Sequence, residues 1–275
     1  LCYQGIIKTT DSLRLAFRPI FPSTFEEGAE TIAKLAGGDQ QGRKRLIIAT
    51  DPDSDRVGVM TRTKDGSFKT INGNQMGTLL LDYAIKSRRS AGLLPEGAYC
   101  VKSIVSTDMA YKIAQSNGIK LHDVLTGFKF IGEQIKLFEQ TGSNNYVFGL
   151  EESYGCLAGT HARDKDAVVA VMCLCEVAAW CKKQGITLWD QMINLYEKYG
   201  YFKEDQYAIT LKGIEGSKQI EEMMNKLRLN PPKQFGDLKV VEFRDYKSGK
   251  TMNNETGVEG ETGLPESNVL YFDLT

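Results

Sequence analysis

The segment Asp51-Pro-Asp-Ser-Asp-Arg56 sets three carboxylates at alternate positions, with a cationic side chain directly after them. Carboxylates this close repel one another unless a cation lies among them, and their hard oxygens suit Mg2+ or Ca2+. An EF-hand loop starts with the same alternation, but it needs glycine at its sixth position and a bidentate glutamate at its twelfth. Arg56 and Arg62 stand there instead. Because Mg2+ takes few protein ligands and completes its shell with water and phosphate oxygens, three Asp beside an Arg suit phosphoryl transfer. A second polar cluster, Gly149-Leu-Glu-Glu-Ser-Tyr-Gly155, offers acceptors that can each take a sugar hydroxyl proton. The only histidines, His122 and His161, have no ligand partner at a useful spacing and receive no role.

These loops need elements to hold them. Arg45-Leu-Ile-Ile-Ala-Thr50 is a β-branched apolar run that stops abruptly at Asp51, as a buried parallel strand would. Val57 to Met60 and Phe68 to Ile71 follow as strands around the Asp65-Gly66 turn signal, then a helix from about Asn74 to Lys86. A helix is also expected over Phe25–Ala36, with capping-box spacing between Thr24 and Glu27. The pattern restarts after Leu93-Leu-Pro-Glu-Gly97. It reads strand (Tyr99 to Val105), helix (to Ser116), Lys120-Leu121, the Thr126-Gly-Phe-Lys129 loop, helix (to about Phe138) and strand (Tyr146 to Phe148). An apolar helix at 166–182 and an amphipathic one at 187–198, capped by Thr187 and Asp190, close this unit. The remainder reads as strand (Gln206 to Leu211), helix (about Ser217 to Leu227), the breaker Pro231-Pro232, strand (Leu238 to Phe243), a Gly-rich loop and a last strand (Val269 to Leu274).

Composition narrows the partners. The 34 Lys and Arg against 35 Asp and Glu leave no global field for nucleic acid or an anionic membrane surface, so an anionic substrate must be captured locally. The apolar stretch from Asp166 to Lys182 is too short to span a bilayer and contains Glu176. Cys2, Cys100, Cys156, Cys173, Cys175 and Cys181 form no C-x-x-C pair, which reads as reduced thiols in a cytoplasmic protein. The N-terminal residues lack the charged start and long apolar run of a signal peptide.

Ala49-Thr-Asp-Pro-Asp-Ser-Asp-Arg-Val-Gly-Val59 resembles the magnesium loop of the α-D-phosphohexomutases, the phosphoglucomutase and phosphomannomutase family. The resemblance implies that Asp51, Asp53 and Asp55 bind Mg2+ and that Arg56 lies beside a phosphoryl group. Gly149 to Gly155 is similar to the family's sugar-binding loop, which implies that Glu151 and Ser153 hold sugar hydroxyls. Thr126, Gly127, Phe128 and Lys129 are similar to its second sugar-contacting loop, and Arg163-Asp-Lys-Asp166 to the segment whose lysine, here Lys165, reaches the substrate phosphate. The implied fold is α/β: two consecutive three-layer domains (residues 1–92 and 93–203) and an incomplete α+β domain (204–275). The implied activity is interconversion of a hexose 1-phosphate and 6-phosphate, glucose first, through a phosphoserine and a bound bisphosphate. Mannose and pentose phosphates stay open, as does a non-catalytic module that binds metal or sugar phosphate. Neither the family's Ser-His-Asn-Pro segment, which carries the phosphoryl group, nor its Arg-Pro-Ser-Gly-Thr-Glu-Pro loop occurs within these residues, so this chain alone is expected to be inactive.

Overall fold

The computed structural model describes residues 46–142 and 145–275, together with the backbone of two strands, β1 (Gln4–Thr9) and β2 (Leu13–Arg18). The helix expected over Phe25–Ala36 lies outside the described residues, as does Cys2. The chain divides into two compact units, Leu1–Lys203 and Glu204–Thr275.

The first unit holds two sheets. One runs β2-β1-β3-β4-β5, with β3 (Leu46–Thr50), β4 (Val57–Arg62) and β5 (Phe68–Ile71), and every pairing in it is antiparallel. This corrects the reading of β3 as a parallel strand. Leu46, Ile47 and Ile48 are buried and β3 is paired on both edges, and that environment selects a continuous apolar run whichever way the neighbours point. Strands β1 and β2 were not anticipated from the sequence.

The other sheet runs β7-β6-β8-β9, with β6 (Tyr99–Ser103), β7 (Lys120–Val124), β8 (Tyr146–Glu151) and β9 (Gly155–Ala158). Strand β6 is parallel to β7 and β8, while β8 and β9 form an antiparallel pair. Alternate residues of β6 face opposite cores. Tyr99 and Val101 pack on Phe128, Ile131 and Ile135 of helix α3 (Phe128–Gln140). Cys100 faces the larger core, built with helices α1 (Gly73–Ser90), α2 (Met109–Ser116), α4 (Ala167–Lys183) and α5 (Leu188–Tyr199). The sheet is thus the middle of three layers. Strands β7 and β8 flank β6 on opposite sides, the topology at which open α/β sheets in general take ligands outside the carboxyl ends of their strands.

Two caps fix where helices begin. Asn72 accepts from Gln75 N while the Gln75 side chain accepts from Asn72 N, starting α1. Thr187 and Asp190 form the expected reciprocal pair at α5.

The second unit contains helix α6 (Gly213–Leu229) and strands β10 (Gln234–Phe235), β11 (Leu238–Asp245), β12 (Lys250–Asn253), β13 (Glu259–Glu261) and β14 (Leu270–Leu274). Strand β11 pairs antiparallel with both β12 and β14. The strand expected over Gln206–Leu211 does not form. Its alternating Tyr207 and Ile209 are 90% and 60% exposed, and no strand among the described residues pairs with it. Alternation marks a sequence able to be a strand; a hydrogen-bonded neighbour makes it one.

Candidate functional site

The two loops singled out by residue type and the 163–166 segment implied by the resemblance meet at one end of the first unit. The carboxylate loop leaves β3 and returns into β4, and Ser54 N donates to Asp51 O across the turn (3.1 Å). Ser54 adopts the left-handed conformation (φ 55°), an uncommon state for a residue with a side chain. Tyr154 in the Glu-Glu-Ser loop shares it (φ 69°), so both loops hold backbone strain of order 1 kcal/mol per residue where they touch. They are stitched directly: Val57 N donates to Tyr154 O (3.1 Å), and Arg56 forms an antiparallel bridge with Gly155. The third segment joins through Ala167 N to Ser54 O (3.0 Å) and Asp166 N to Cys156 O (3.0 Å).

Two glycines permit this approach. A Cβ on Gly73, at the start of α1, would stand 1.9 Å from the Glu152 carbonyl oxygen, and one on Gly155 would stand 2.1 Å from Lys165 Cδ. Lys165 therefore lies across the backbone of the Glu-Glu-Ser loop, and its side chain is 13% exposed.

The charges are arranged in pairs. Arg56 Nε lies 2.8 Å from Asp51 Oδ2, and Asp51 Oδ1 accepts from the backbone N–H of Asp55 and of Arg56, each at 3.2 Å. Burial opposes ionisation of Asp51, but hydrogen bonding with the Asp55 side chain, the Arg56 guanidinium and these N–H groups outweighs it, holding its pKa below the usual value. Lys165 Nζ lies 3.0 Å from Asp55 Oδ2 and 2.8 Å from Asp164 Oδ1. Burial lowers the Lys165 pKa, and these two carboxylates more than reverse that, so the ammonium is retained. Asp53 and Ser153 are exposed at the tips of their loops.

Among the described residues, no three metal-ligating side chains are drawn together; Asp51 and Asp55 converge on cationic side chains instead. The donor chemistry still fits a hard divalent cation. The loop supplies three carboxylates, and Asp55 Oδ1 is buried without a hydrogen-bond partner, its contact with Arg56 Nε being 3.5 Å long.

Glu151 is buried and accepts from Gly127 N at 2.9 Å, which ties the two expected sugar-contacting loops together. Burial raises its pKa, the positive charge of Lys165 works against this, and the Glu152 charge adds to the rise. Phe128 is buried under Lys165, whose Nζ is 5.4 Å from the ring centroid, while Thr126 and Lys129 are exposed.

Beneath these loops lies a polar floor that motif spacing does not reveal. Glu152 Oε2 accepts from Ser103 Oγ (2.8 Å) and Ser106 Oγ (3.1 Å), and Glu152 N donates to Ser106 Oγ (3.1 Å). Lys102, 1% exposed, sits within 3.2 Å of both Asp108 and Asp123 and donates to Ser106 O. Thr107 N donates to Asn74 Oδ1 at 3.0 Å, fastening the start of α1 to the same floor. The available signal was the polar run Lys102-Ser103 and Ser106-Thr107 at the end of an apolar strand, where a buried polar group must be paired.

The carboxyl end of this covered, mostly parallel sheet gathers a carboxylate loop, a Glu-Glu-Ser loop and a sheltered lysine, the place where open α/β sheets take their ligands. The profile described as phosphoglucomutase/phosphomannomutase, alpha/beta/alpha domain III, matches residues 72–199. Phosphoglucomutases of Staphylococcus aureus, strains USA300 and NCTC 8325 among them, are 36% identical over 225 residues, covering 82% of this chain and 40% of theirs. The open form of the Paramecium exocytosis-sensitive phosphoprotein pp63/parafusin, a phosphoglucomutase, superposes with a TM-score of 0.58 at 17% identity, over 93% of this chain and 41% of that one. A phosphoglucomutase/phosphomannomutase family protein from Burkholderia thailandensis gives 0.50 at 20% identity, over 78% and 39%. The chain belongs to the α-D-phosphohexomutase superfamily, and its mixed α/β fold is that of the family. It spans about two fifths of the length of the curated relatives it matches, 40% in each case. Among the described residues no helix is long and apolar enough to cross a membrane, and Cys100, Cys156, Cys173, Cys175 and Cys181 are free thiols.

Proposed function

We propose that this chain supplies the cation seat and the sugar seat of a phosphoglucomutase-like intramolecular phosphotransferase, an isomerase of carbohydrate metabolism. The observation that carries the reading is the meeting of the three segments, through the Arg56–Gly155 bridge and the Lys165–Asp55 pair. Glu151 and Ser153 orient the sugar, with Thr126, Gly127, Phe128 and Lys129 contacting it from the second loop. Arg56 and Lys165 stabilise phosphoryl oxygens. Asp51, Asp53 and Asp55 would hold Mg2+, which supplies charge stabilisation for phosphoryl transfer. The substrate is a sugar phosphate, with glucose 1-phosphate and 6-phosphate preferred over mannose and pentose phosphates, and the setting is cytoplasmic. The domains are taken as residues 1–92, 93–203 and 204–275, the last boundary coinciding with the division into two compact units.

These residues without the family's serine segment bind substrate and do not turn it over. Nuclear magnetic resonance titration of the 275-residue chain with glucose 6-phosphate and Mg2+ tests this. Shifts are expected at Gly127, Glu151 and Ser153, and a coupled assay for glucose 6-phosphate formation stays at background. Binding that leaves all three unmoved overturns the sugar seat, and turnover abolished by Asp53→Asn overturns the claim of inactivity. Stronger competition by ribose or mannose phosphates replaces the glucose preference.

A further inference from the structure

Asp51 and Asp55 of the 51–56 loop each already carry a cation from the protein itself. Asp51 holds Arg56, its neighbour in sequence. Asp55 holds Lys165, which arrives from the start of α4 and is shared with Asp164, 3.0 Å from one carboxylate and 2.8 Å from the other. The two partners differ in surroundings. Asp164 is 70% exposed and Asp55 27%, so Lys165 spans from a wet carboxylate to a sheltered one. An ammonium and a hard divalent ion seek the same oxygens, and Asp55 Oδ2 cannot serve both at full strength. The ammonium has somewhere to go, because Asp164 tethers it and its stem runs over Gly155 toward the Glu-Glu-Ser loop.

We infer that Lys165 is the exchangeable counter-ion of Asp55: Asp55 releases Lys165 when it takes a divalent cation, and the freed ammonium turns to the phosphoryl oxygens of a sugar phosphate. This rests on the reading of the loop as a cation seat. No covalent bond changes. Asp55 Oδ2 keeps a cation throughout, and Lys165 passes from one anion to another. Lys165 thereby couples the two ligands, each tightening the other by the same factor, as linkage requires.

Calorimetric titration of Mg2+ into the wild-type 275-residue chain and Lys165→Gln tests the exchange, in about 0.5 M KCl, where screening over roughly 4 Å suppresses through-space repulsion. The variant is expected to bind Mg2+ about tenfold more tightly, having lost the competitor. Saturating glucose 6-phosphate is expected to tighten Mg2+ binding about fivefold in wild type, the low end of common coupling factors, and less than twofold in the variant. As a second measurement, the Lys165 side-chain ammonium resonance of the wild-type chain, assigned with Lys165→Arg, moves on addition of Mg2+ alone. Equal or weaker Mg2+ binding by Lys165→Gln, coupling that survives the substitution, or an unmoved ammonium signal overturns the exchange and leaves the cation seat standing. Absence of Mg2+ binding in both chains overturns the seat and the exchange together.

Discussion

Helices α4 and α6 are both 17 residues long, and they meet opposite fates. Helix α4 buries Ala167, Ala170, Val171, Leu174, Val177 and Cys181 against a core that also takes in α1, α5 and both sheets of the first unit. Helix α6 buries only Gly216, although Ile220, Met223 and Leu227 recur along one face at helical spacing. The sheet of the second unit is similar in this respect: of its strand residues only Val240 and Asp245 are buried. An apolar stripe therefore records the capacity to form a core, and a facing layer converts that capacity into stability at roughly 25 cal/mol per Å² of apolar surface covered. The expected site lies wholly in the unit whose stripes are covered, as loops that must hold charges within ångströms require.

Substitutions can break or sharpen this contrast. The largest effect is expected for Leu174→Ala in α4, which leaves a cavity in a fully buried position and costs about 3 kcal/mol, read as a lower urea midpoint for the amides of residues 46–203. A loss under 1 kcal/mol would show that the first unit is no better packed than the second. Next comes Arg228→Ala. Arg228 Nε holds the buried Asp245 at 2.8 Å, but Asp245 Oδ1 also accepts from Lys247 N at 3.1 Å. That second partner keeps the expected cost near 2 kcal/mol, below the full penalty of a broken buried pair, and hydrogen exchange should localise it to residues 204–275.

Glu151→Gln should alter stability with pH and weaken ligand binding. The folded-state pKa of Glu151 lies above its unfolded value of about 4.5, so its favourable contribution is present below that pH and is lost as pH rises through the folded pKa. The amide variant can still accept from Gly127 N. It is expected to melt higher than wild type at pH 7, to converge with it toward pH 4, and to bind glucose 6-phosphate more weakly. Equal melting curves at both pH values would mean that Glu151 is not held in an unfavourable charged state. The smallest effect belongs to Leu229→Ala at the exposed end of α6, within about 0.5 kcal/mol by thermal melting. A larger loss would reveal a covering surface over that face.

Local rules carried the elements a long way. The helix expected at 166–182 is α4 at Ala167–Lys183, that at 187–198 is α5 at Leu188–Tyr199, and Phe68–Ile71 is β5. Caps and periodicity act over a few residues and so are written in neighbouring letters. Pairing is not. The antiparallel setting of β3, the failure of Gln206–Leu211 to become a strand, and the floor joining Lys102 and Ser103 to Asp123 and Glu152 depend on partners far along the chain.

The site divides the same way. By itself the sequence determined the chemistry on offer: three carboxylates with an arginine, a Glu-Glu-Ser loop, a lysine between two aspartates, and the family in which those motifs recur together. Only the tertiary structure decided which charge each carboxylate faces. It set Lys165 on Asp55 and Arg56 on Asp51, left Asp53 in solvent, and closed Glu151 onto Gly127. Coulomb and hydrogen-bond energies depend on distances of about 3 Å and on burial, and a folded chain sets both between residues that its sequence keeps far apart.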